Sequence, residues 1–256
     1  MLAIIAGSGF EQWDLMREVK EEWVSTPYGD TVFYRGTVLD REILFLPRHR
    51  VGHSIPPHRI PYRANLWALK KNGVKRIAAI NAVGSLDRTI EPGELVLIDD
   101  FLDFTRSREH TFYDGEDGRV GHADMTRCYC PDWQETIQKA AAVAEIPLHT
   151  GGVYVATEGP RFETRAEICA YGRLGGTVVG MTGVPECPLA VELGICYGSI
   201  AYVTNYACGV AGSLHAGEIS AVMEQSREKL SSLLAELVKI YRDDFHCSCD
   251  AEGCLL

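Results

Sequence analysis

Glu163 and Asn205 are the side chains that point most directly to chemistry. Glu163 sits in Glu158-Gly-Pro-Arg-Phe-Glu-Thr164 and Asn205 in Val203-Thr-Asn-Tyr-Ala207, with Gly180-Met-Thr-Gly-Val-Pro-Glu186 between them. A carboxylate accepts hydrogen bonds and a side-chain amide donates them. Brought into one pocket, the two can read opposite edges of a small heterocycle.

A second group of residues suits an anion. Gly7-Ser8-Gly9 follows an apolar run and offers backbone N–H groups and a hydroxyl to an oxyanion, or is simply a turn. It is not the dinucleotide fingerprint, because no third glycine follows at the required place. Pro47-Arg48-His49-Arg50-Val51-Gly52-His53 gathers two arginines and two histidines. A guanidinium fork there suits a phosphate; the plainer alternative is a solvated basic loop. Asn81-Ala82-Val83-Gly84-Ser85 is expected to leave a strand into a Gly-Ser turn with backbone donors. Thr182 stands before a proline-started helix, as a hydroxyl donor to an anion or as an N-cap.

Other chemistries find little support. His58, His110, His122, His149 and His215 lack zinc-ligand spacing with the cysteines, and neither a Gly-x-Ser-x-Gly elbow nor a Ser/His/Asp arrangement stands out. The reaction is expected to need neither a covalent nucleophile nor a metal. Of nine cysteines, six are scattered through apolar or mixed segments and read as free thiols. Cys247-Ser-Cys249 with Cys254 forms a Cys-rich end. A metal site or a redox pair is conceivable there, but a loose tail with reactive thiols is the expectation.

These residues need elements to hold them. Residues 2–6 form an apolar run that reads as a buried strand, and 31–39 with 41–47 as a hairpin turning at Asp40. Residues 62–72 read as a helix closed by Gly73, and 76–81 and 94–99 as strands. A helix is expected from Pro131 to about 145, a strand over 153–156, a helix over 163–174 and a strand over 177–179. Pro185 starts a helix that stops at Gly194, 195–204 is a long strand, and 218–243 carries apolar residues at helical spacing. Strands alternating with helices predict an α/β fold with a central mixed sheet, whose loops carry the chemistry.

The bulk numbers narrow the partners. The chain has 256 residues, 46% of them apolar, and no linker-like stretch interrupts its middle, which favours one domain over 1–245 and a tail over 246–256. A net charge of −10 disfavours nucleic acid and anionic lipid, so an anionic substrate needs a local donor cluster. The apolar N-terminus lacks a basic leader, and no stretch approaches membrane-spanning length; a cytoplasmic location is expected.

Taken in order, Gly7-Ser-Gly9, Arg48-His49, Asn81-Ala-Val-Gly-Ser85, Glu158-Gly-Pro-Arg-Phe162, Met181-Thr-Gly-Val-Pro-Glu186 and Val203-Thr-Asn-Tyr206 carry a resemblance. The chain resembles the trimeric purine nucleoside phosphorylase and methylthioadenosine phosphorylase family over residues 2–240. The resemblance implies a single-domain nucleoside phosphorylase fold, a homotrimer with active sites near subunit interfaces, and inorganic phosphate as co-substrate without a cofactor. It assigns phosphate to Ser8, Arg48, His49, Asn81, backbone Ala82 and Thr182, the ribose to Met181, and one face of the purine to Phe162. Asn205, Glu163 and His49 take the catalytic roles. Asn81 departs from the threonine common in methylthioadenosine phosphorylases, and Gly183 from a second threonine after Met181.

The base-reading positions separate the branches of that family. Adenine-accepting members carry Asp-x-Asp where this chain has Asn205-Tyr-Ala207, and commonly serine at Glu163. A 6-oxopurine offers a donor at N1–H and acceptors at O6 and N7, which suit Glu163 and Asn205. A 6-aminopurine leaves the carboxylate without a donor, at a cost of about 1–3 kcal/mol. Ser107, Phe112-Tyr-Asp-Gly115, Val120-Gly-His122 and Cys130-Pro131 are closer to the methylthioadenosine branch, where the corresponding histidine reaches a neighbouring subunit's site. Around the sugar 5′ end, where inosine-type members carry a histidine, the chain has Ile219, Ala221 and Val222. The combination resembles the methylthioinosine-cleaving members, with inosine or guanosine phosphorolysis as the alternative. A water-using nucleosidase and a non-catalytic nucleoside-binding protein are the readings from other classes.

Overall fold

The computed structural model describes residues 1–116, 118–212 and 215–244, together with Cys247 and Cys249. Its strands are β1 (Leu2–Ala6), β2 (Arg17–Thr26), β3 (Gly29–Val38), β4 (Arg41–Pro47), β5 (Arg76–Ser85), β6 (Leu95–Phe104), β7 (Leu148–Thr157), β8 (Val178–Gly180) and β9 (Cys196–Tyr206). The helices are α1 (Tyr62–Lys71), α2 (Pro131–Val143), α3 (Arg165–Arg173), α4 (Gly183–Glu192) and α5 (Ala216–Ile240). The expected α/β class and mixed sheet are what the chain forms.

β1 is fully buried because both its edges and both its faces are covered. It pairs in parallel with β4 on one side and β5 on the other. Its alternate residues serve two cores: Ala3 and Ile5 pack with α1 and α4, while Leu2 and Ile4 pack with α2 and α5. Such a strand reads as a continuous apolar run, which is why its sequence shows no alternation. On α5, Leu230, Leu233, Leu234, Leu237 and Val238 form the buried stripe. Burying each such side chain contributes about 1.5–3 kcal/mol. α1 ends as its sequence predicts: Gly73 takes a φ of +77°, and the Val74 and Gly73 N–H groups donate to the Leu69 and Lys70 carbonyls. That is the glycine-terminated cap in which the last carbonyls find donors beyond the helix.

The topology goes further than the sequence predicted. β5 pairs with β9, β9 with β6, β6 with β7, β7 with β8, and β8 returns to β5, closing a five-stranded ring. β1, β4, β3 and β2 extend the sheet outward from β5. Among the described strands only β2 has a single neighbour. None of its residues is buried, and its first five are all exposed, so it lacks the apolar period that would have marked it in the sequence.

β5 holds the break that makes room for a ligand. Its pairing with β1 runs out at Ala79, and its pairing with β8 begins only at Gly84. Residues 80–83 therefore have no strand partner on that side, while β9 continues along the other with a bulge between Val83 and Gly84. The Asn81–Ser85 motif differs here from the expected turn: it lies inside β5, because β9 and β8 pair its Gly84 and Ser85. Crevices at such switches in strand order, beyond the carboxyl ends of strands, are where open α/β folds bind ligands.

Candidate active site

A cavity of about 430 Å³ opens at this break. Its walls come from the loops after β1, β4 and β8, from β5 and β9, from the loop between β7 and α3, and from α5. The size is within the usual range for a small-molecule site. Ser8, Arg48, His49, Ala82, Phe162, Glu163, Met181, Thr182, Asn205 and Ala207 all line it.

Glu163 is buried, at 8% exposure, and Thr157 at the end of β7 donates to its Oε1 at 2.6 Å. Among the described residues no cation lies within ion-pair distance of it, so Oε2 is left for a donor from a ligand. Glu163 is the residue before the N-cap of α3, not the first turn of the helix as the sequence predicted. Thr164 and Glu167 form a reciprocal capping box that starts α3 at Arg165. Arg108 fixes the loop from behind, donating to the carbonyls of Thr157 and Glu158 at 3.1 and 2.8 Å.

Asn205 is held in the same way. Thr204 donates to its Oδ1 at 2.7 Å, and its Nδ2 donates to the Tyr206 carbonyl at 2.9 Å. A side-chain amide carries two N–H bonds, so one remains. Gly84 lies opposite Asn205 in the register, and a Cβ at Gly84 would stand 3.2 Å from Nδ2. The glycine expected to make a turn thus gives the amide room.

At the other end lie the expected anion groups, with different bonding from that expected. Arg48 is 2% exposed and forms a two-pronged pair with Glu186, Nε and Nη2 donating at 2.6 and 2.9 Å. Its Nη1 donates to the Ile80 carbonyl at 3.0 Å, and Nη2 also to Asn81 Oδ1 at 3.2 Å. Four of five N–H bonds are thereby used, and one on Nη1 is left. The expected fork on phosphate is instead spent on Glu186, because a charge buried this deeply needs a counter-charge. Burial alone would lower the Arg48 pKa, but Glu186 outweighs it and raises the value above the ordinary arginine range. A Cβ on Gly7 would meet Nη1 at 2.9 Å, so the loop after β1 passes close over the guanidinium.

His49 is 4% exposed, and its Nδ1 lies 2.8 Å from the Ile55 carbonyl. A carbonyl only accepts, so Nδ1 carries the proton and Nε2 is an acceptor. Burial, with Arg48 and the stacked His53 adding to it, pushes the ring pKa down to about 4. Ser8 Oγ is 3.5 Å from His53 Nδ1. Thr182 occupies the N-cap of α4 without capping it by its side chain. The Thr182 and Gly183 N–H groups both donate to the Tyr154 hydroxyl, at 3.1 and 3.2 Å, rather than facing an anion. The Thr182 hydroxyl keeps its proton free, accepting a long 3.5 Å bond from Asn81 Nδ2. Asn81 itself is fully buried and does not line the cavity; it ties Arg48 to Thr182.

The remaining expectations divide. Ala221 and Val222 do not line the cavity; Ile219 and Met223, one helical turn apart on α5, do. The apolar stretch was seen, but only every fourth residue of a helix shares a face. Met223 packs by Gly9 and the Tyr202 hydroxyl, at the anion end. His122 is exposed and outside this chain's cavity. Sequence reasoning missed the roles of Thr157, Thr204, Arg108 and Glu186. Only Glu186 left a signal, as a lone acid in the apolar stretch Val184-Pro-Glu-Cys-Pro-Leu189. The loose thiol tail is also corrected: Cys247 and Cys249 meet Cys130 and Cys196, while Cys254 lies outside the described residues.

Residues 1–239 match the model of the phosphorylase superfamily. The chain is 47% identical over 255 residues to the 6-oxopurine nucleoside phosphorylase of Pyrococcus furiosus, covering 97% of this chain and 96% of that protein. It is 45% identical over 252 residues to a probable S-methyl-5′-thioinosine phosphorylase of Methanothermobacter thermautotrophicus, covering 97% and 87%. A methylthioadenosine phosphorylase from an antarctic soil metagenomic library superposes with a TM-score of 0.93 at 32% identity, over 100% of this chain and 92% of that one. The ordered motifs implied this relationship and the match spans nearly the whole fold: the chain belongs to the phosphorylase superfamily.

Proposed function

We propose that the protein catalyses the reversible phosphorolysis of 6-oxopurine nucleosides in purine salvage. The favoured substrate is S-methyl-5′-thioinosine, cleaved to hypoxanthine and 5-methylthioribose 1-phosphate. The observation that carries this is the pair of base readers in one cavity, each fixed by its own threonine: Glu163 by Thr157 and Asn205 by Thr204. Two relatives whose names specify 6-oxopurine or methylthioinosine substrates support it.

In this mechanism a phosphate oxygen bonds to C1′ as the C1′–N9 bond breaks on the opposite face, and the bond's electron pair enters the purine. Asn205 donates to N7 or O6 as that charge develops, and Glu163 accepts N1–H. The Arg48 Nη1–H, the Ser8 and Thr182 hydroxyls and the Ala82 N–H supply donors for phosphate, and His49 Nε2 accepts from a phosphate hydroxyl. Phe162 and Met181 bound the base and the ribose. The work is positioning and electrostatic stabilisation. Because Arg48 is neutralised by Glu186, phosphate affinity rests on hydrogen bonds more than on net charge.

Ile219 and Met223 give the cavity an apolar wall, which suits a 5′-thioether better than a hydroxyl. Inosine or guanosine phosphorolysis is the second reading, favoured by the name of the Pyrococcus relative. The function carries with it a homotrimer in which His122 of one subunit completes the site of the next; the exposure of His122 and of Val120, at 71%, supports this.

One kinetic comparison tests the proposal: kcat/KM for methylthioinosine, inosine, guanosine and methylthioadenosine, with and without phosphate. Methylthioinosine is expected to exceed methylthioadenosine by about tenfold or more, with no turnover when phosphate is removed. The Asn205→Asp variant is expected to lose about 10²–10³ in kcat/KM on the oxopurine. A preference for methylthioadenosine would sink the base-reading roles, and a preference for inosine only the 5′ assignment. Turnover without phosphate would make the protein a hydrolase; tight binding without product would make it a binding protein.

A further inference from the structure

Four thiols converge far from the cavity. Cys130, Cys196, Cys247 and Cys249 place their sulfur atoms within 4.8 Å of one another. They come from three separate parts of the chain: Cys130 is the N-cap of α2, Cys196 is the first residue of β9, and the other two follow α5. Cysteines used only as small hydrophobes have no reason to gather sulfur to sulfur. We propose that these four side chains form a tetrathiolate site that holds one Zn²⁺ and fastens the end of the chain to the body of the fold.

The geometry suits the ion. Tetrahedral zinc with bonds of about 2.3 Å needs its sulfurs about 3.8 Å apart. Two ligands sit on backbone that is already fixed. The Cys130 N–H donates to the Tyr197 carbonyl at 3.1 Å, and the Cys196 N–H to the Lys75 carbonyl at 3.0 Å. Cys196 and Cys247 sulfurs are 2.9 Å apart, so metal entry asks the tail side to open by just under 1 Å. Four sulfur donors select a soft or borderline metal over magnesium or calcium.

The surroundings suit the charge. Four thiolates around Zn²⁺ carry a net charge of −2. Cys130 lies at the N-terminal end of the 13-residue α2, where the helix favours an anion. Arg76 is the register partner of Cys196 on β5, is 3% exposed, and donates to the Arg242 carbonyl at 3.3 Å, which sets a cation beside the tail. Cys130 and Cys196 are buried, and Cys247 and Cys249 are partly covered by the second core.

A closed set of four protein ligands leaves no position for substrate, so the site is structural. Cys196 and Asn205 stand near opposite ends of β9, roughly 30 Å apart at the rise of an extended strand. The two sites are therefore separable by experiment.

The test is metal analysis of the full chain purified without added reductant or chelator, followed by intact-mass measurement. One zinc per chain is expected, released to a chromogenic chelator on unfolding. Refilling with Co²⁺ is expected to give the intense visible bands of a tetrahedral thiolate site. The Cys247→Ser/Cys249→Ser double variant is expected to lose the zinc and several degrees of Tm, with kcat/KM within twofold of the parent. A chain free of metal, with a mass four hydrogens below that of the reduced sequence, would overturn the proposal in favour of two disulfides. A metal-free chain with all four thiols open to alkylation would overturn it too, as would a double variant that keeps its zinc.

Discussion

Glu163 and Asn205 each arrive at the cavity with a threonine already bound, and that arrangement decides what each can still do. Thr157 and Thr204 occupy one oxygen of each side chain and the Tyr206 carbonyl takes one amide hydrogen, so one carboxylate oxygen and one amide hydrogen remain for the base in the proposed complex. The two side chains were legible because each stands in a motif of the resemblance, Glu163 in Glu158-Gly-Pro-Arg-Phe-Glu-Thr164 and Asn205 in Val203-Thr-Asn-Tyr206. Their threonines were not, since a threonine near a strand end has many ordinary uses. Arg48 shows the same limit: its charge was visible, but the carboxylate that claims it lies 138 positions along the chain. His49 carries a prediction about pH. Its folded pKa of about 4 lies below the ordinary value of 6.5. Between those values the unfolded chain binds a proton that the folded chain refuses, so stability is full above about 6.5 and falls as the pH drops toward 4. Urea unfolding at pH 7.5 and 4.5 is expected to show a loss about 1–3 kcal/mol greater for the parent than for His49→Gln. Equal losses in the two proteins would mean that His49 is not held neutral.

At the level of elements, legibility followed burial. β1 and β9 were read from continuous apolar runs, and α1 from its stripe and its closing glycine. β2 was missed because Arg17, Glu18, Lys20 and Glu21 face solvent, Glu22 is only half-buried, and the charged run leaves no apolar period to detect. β5 was cut short because Gly84 looked like a turn, whereas it is the strand residue that admits Asn205. In the proposed reaction helix α3 acts through its first residues. Its capping box holds Thr164, the neighbour of Glu163, so the helix start and the proposed base reader share one backbone geometry. Thr164→Ala is expected to cost about 1 kcal/mol of stability. The same variant is expected to lower kcat/KM for the oxopurine several-fold while leaving the KM for phosphate unchanged. Thermal melts and steady-state kinetics measure the two effects. A stability loss with unaltered kinetics would mean that Thr157 and Arg108 hold Glu163 without help from the helix.

Across the whole molecule, two apolar cores on either side of the sheet hold the strand ends that carry the site, and the ring of β5, β8, β7, β6 and β9 fixes their spacing. Neither the ring nor the four-cysteine cluster was legible, because both depend on pairings between distant segments. If assembly completes each site in trans, chains carrying His122→Ala and Asn205→Ala should rescue one another when co-expressed. Activity several-fold above either variant alone is expected in the mixed oligomers, and its absence would place His122 outside the neighbouring site. The ring has one more consequence. A strand needs an open rim to recruit another chain, and ring closure removes the rim on that side of the sheet. The rim left is β2, whose run of five charges in six residues must give up its water before a copy of itself can lie alongside. Templated aggregation through the native sheet thus has one point of entry among the described strands, and it is guarded by that hydration, so the folded chain should tolerate crowding well.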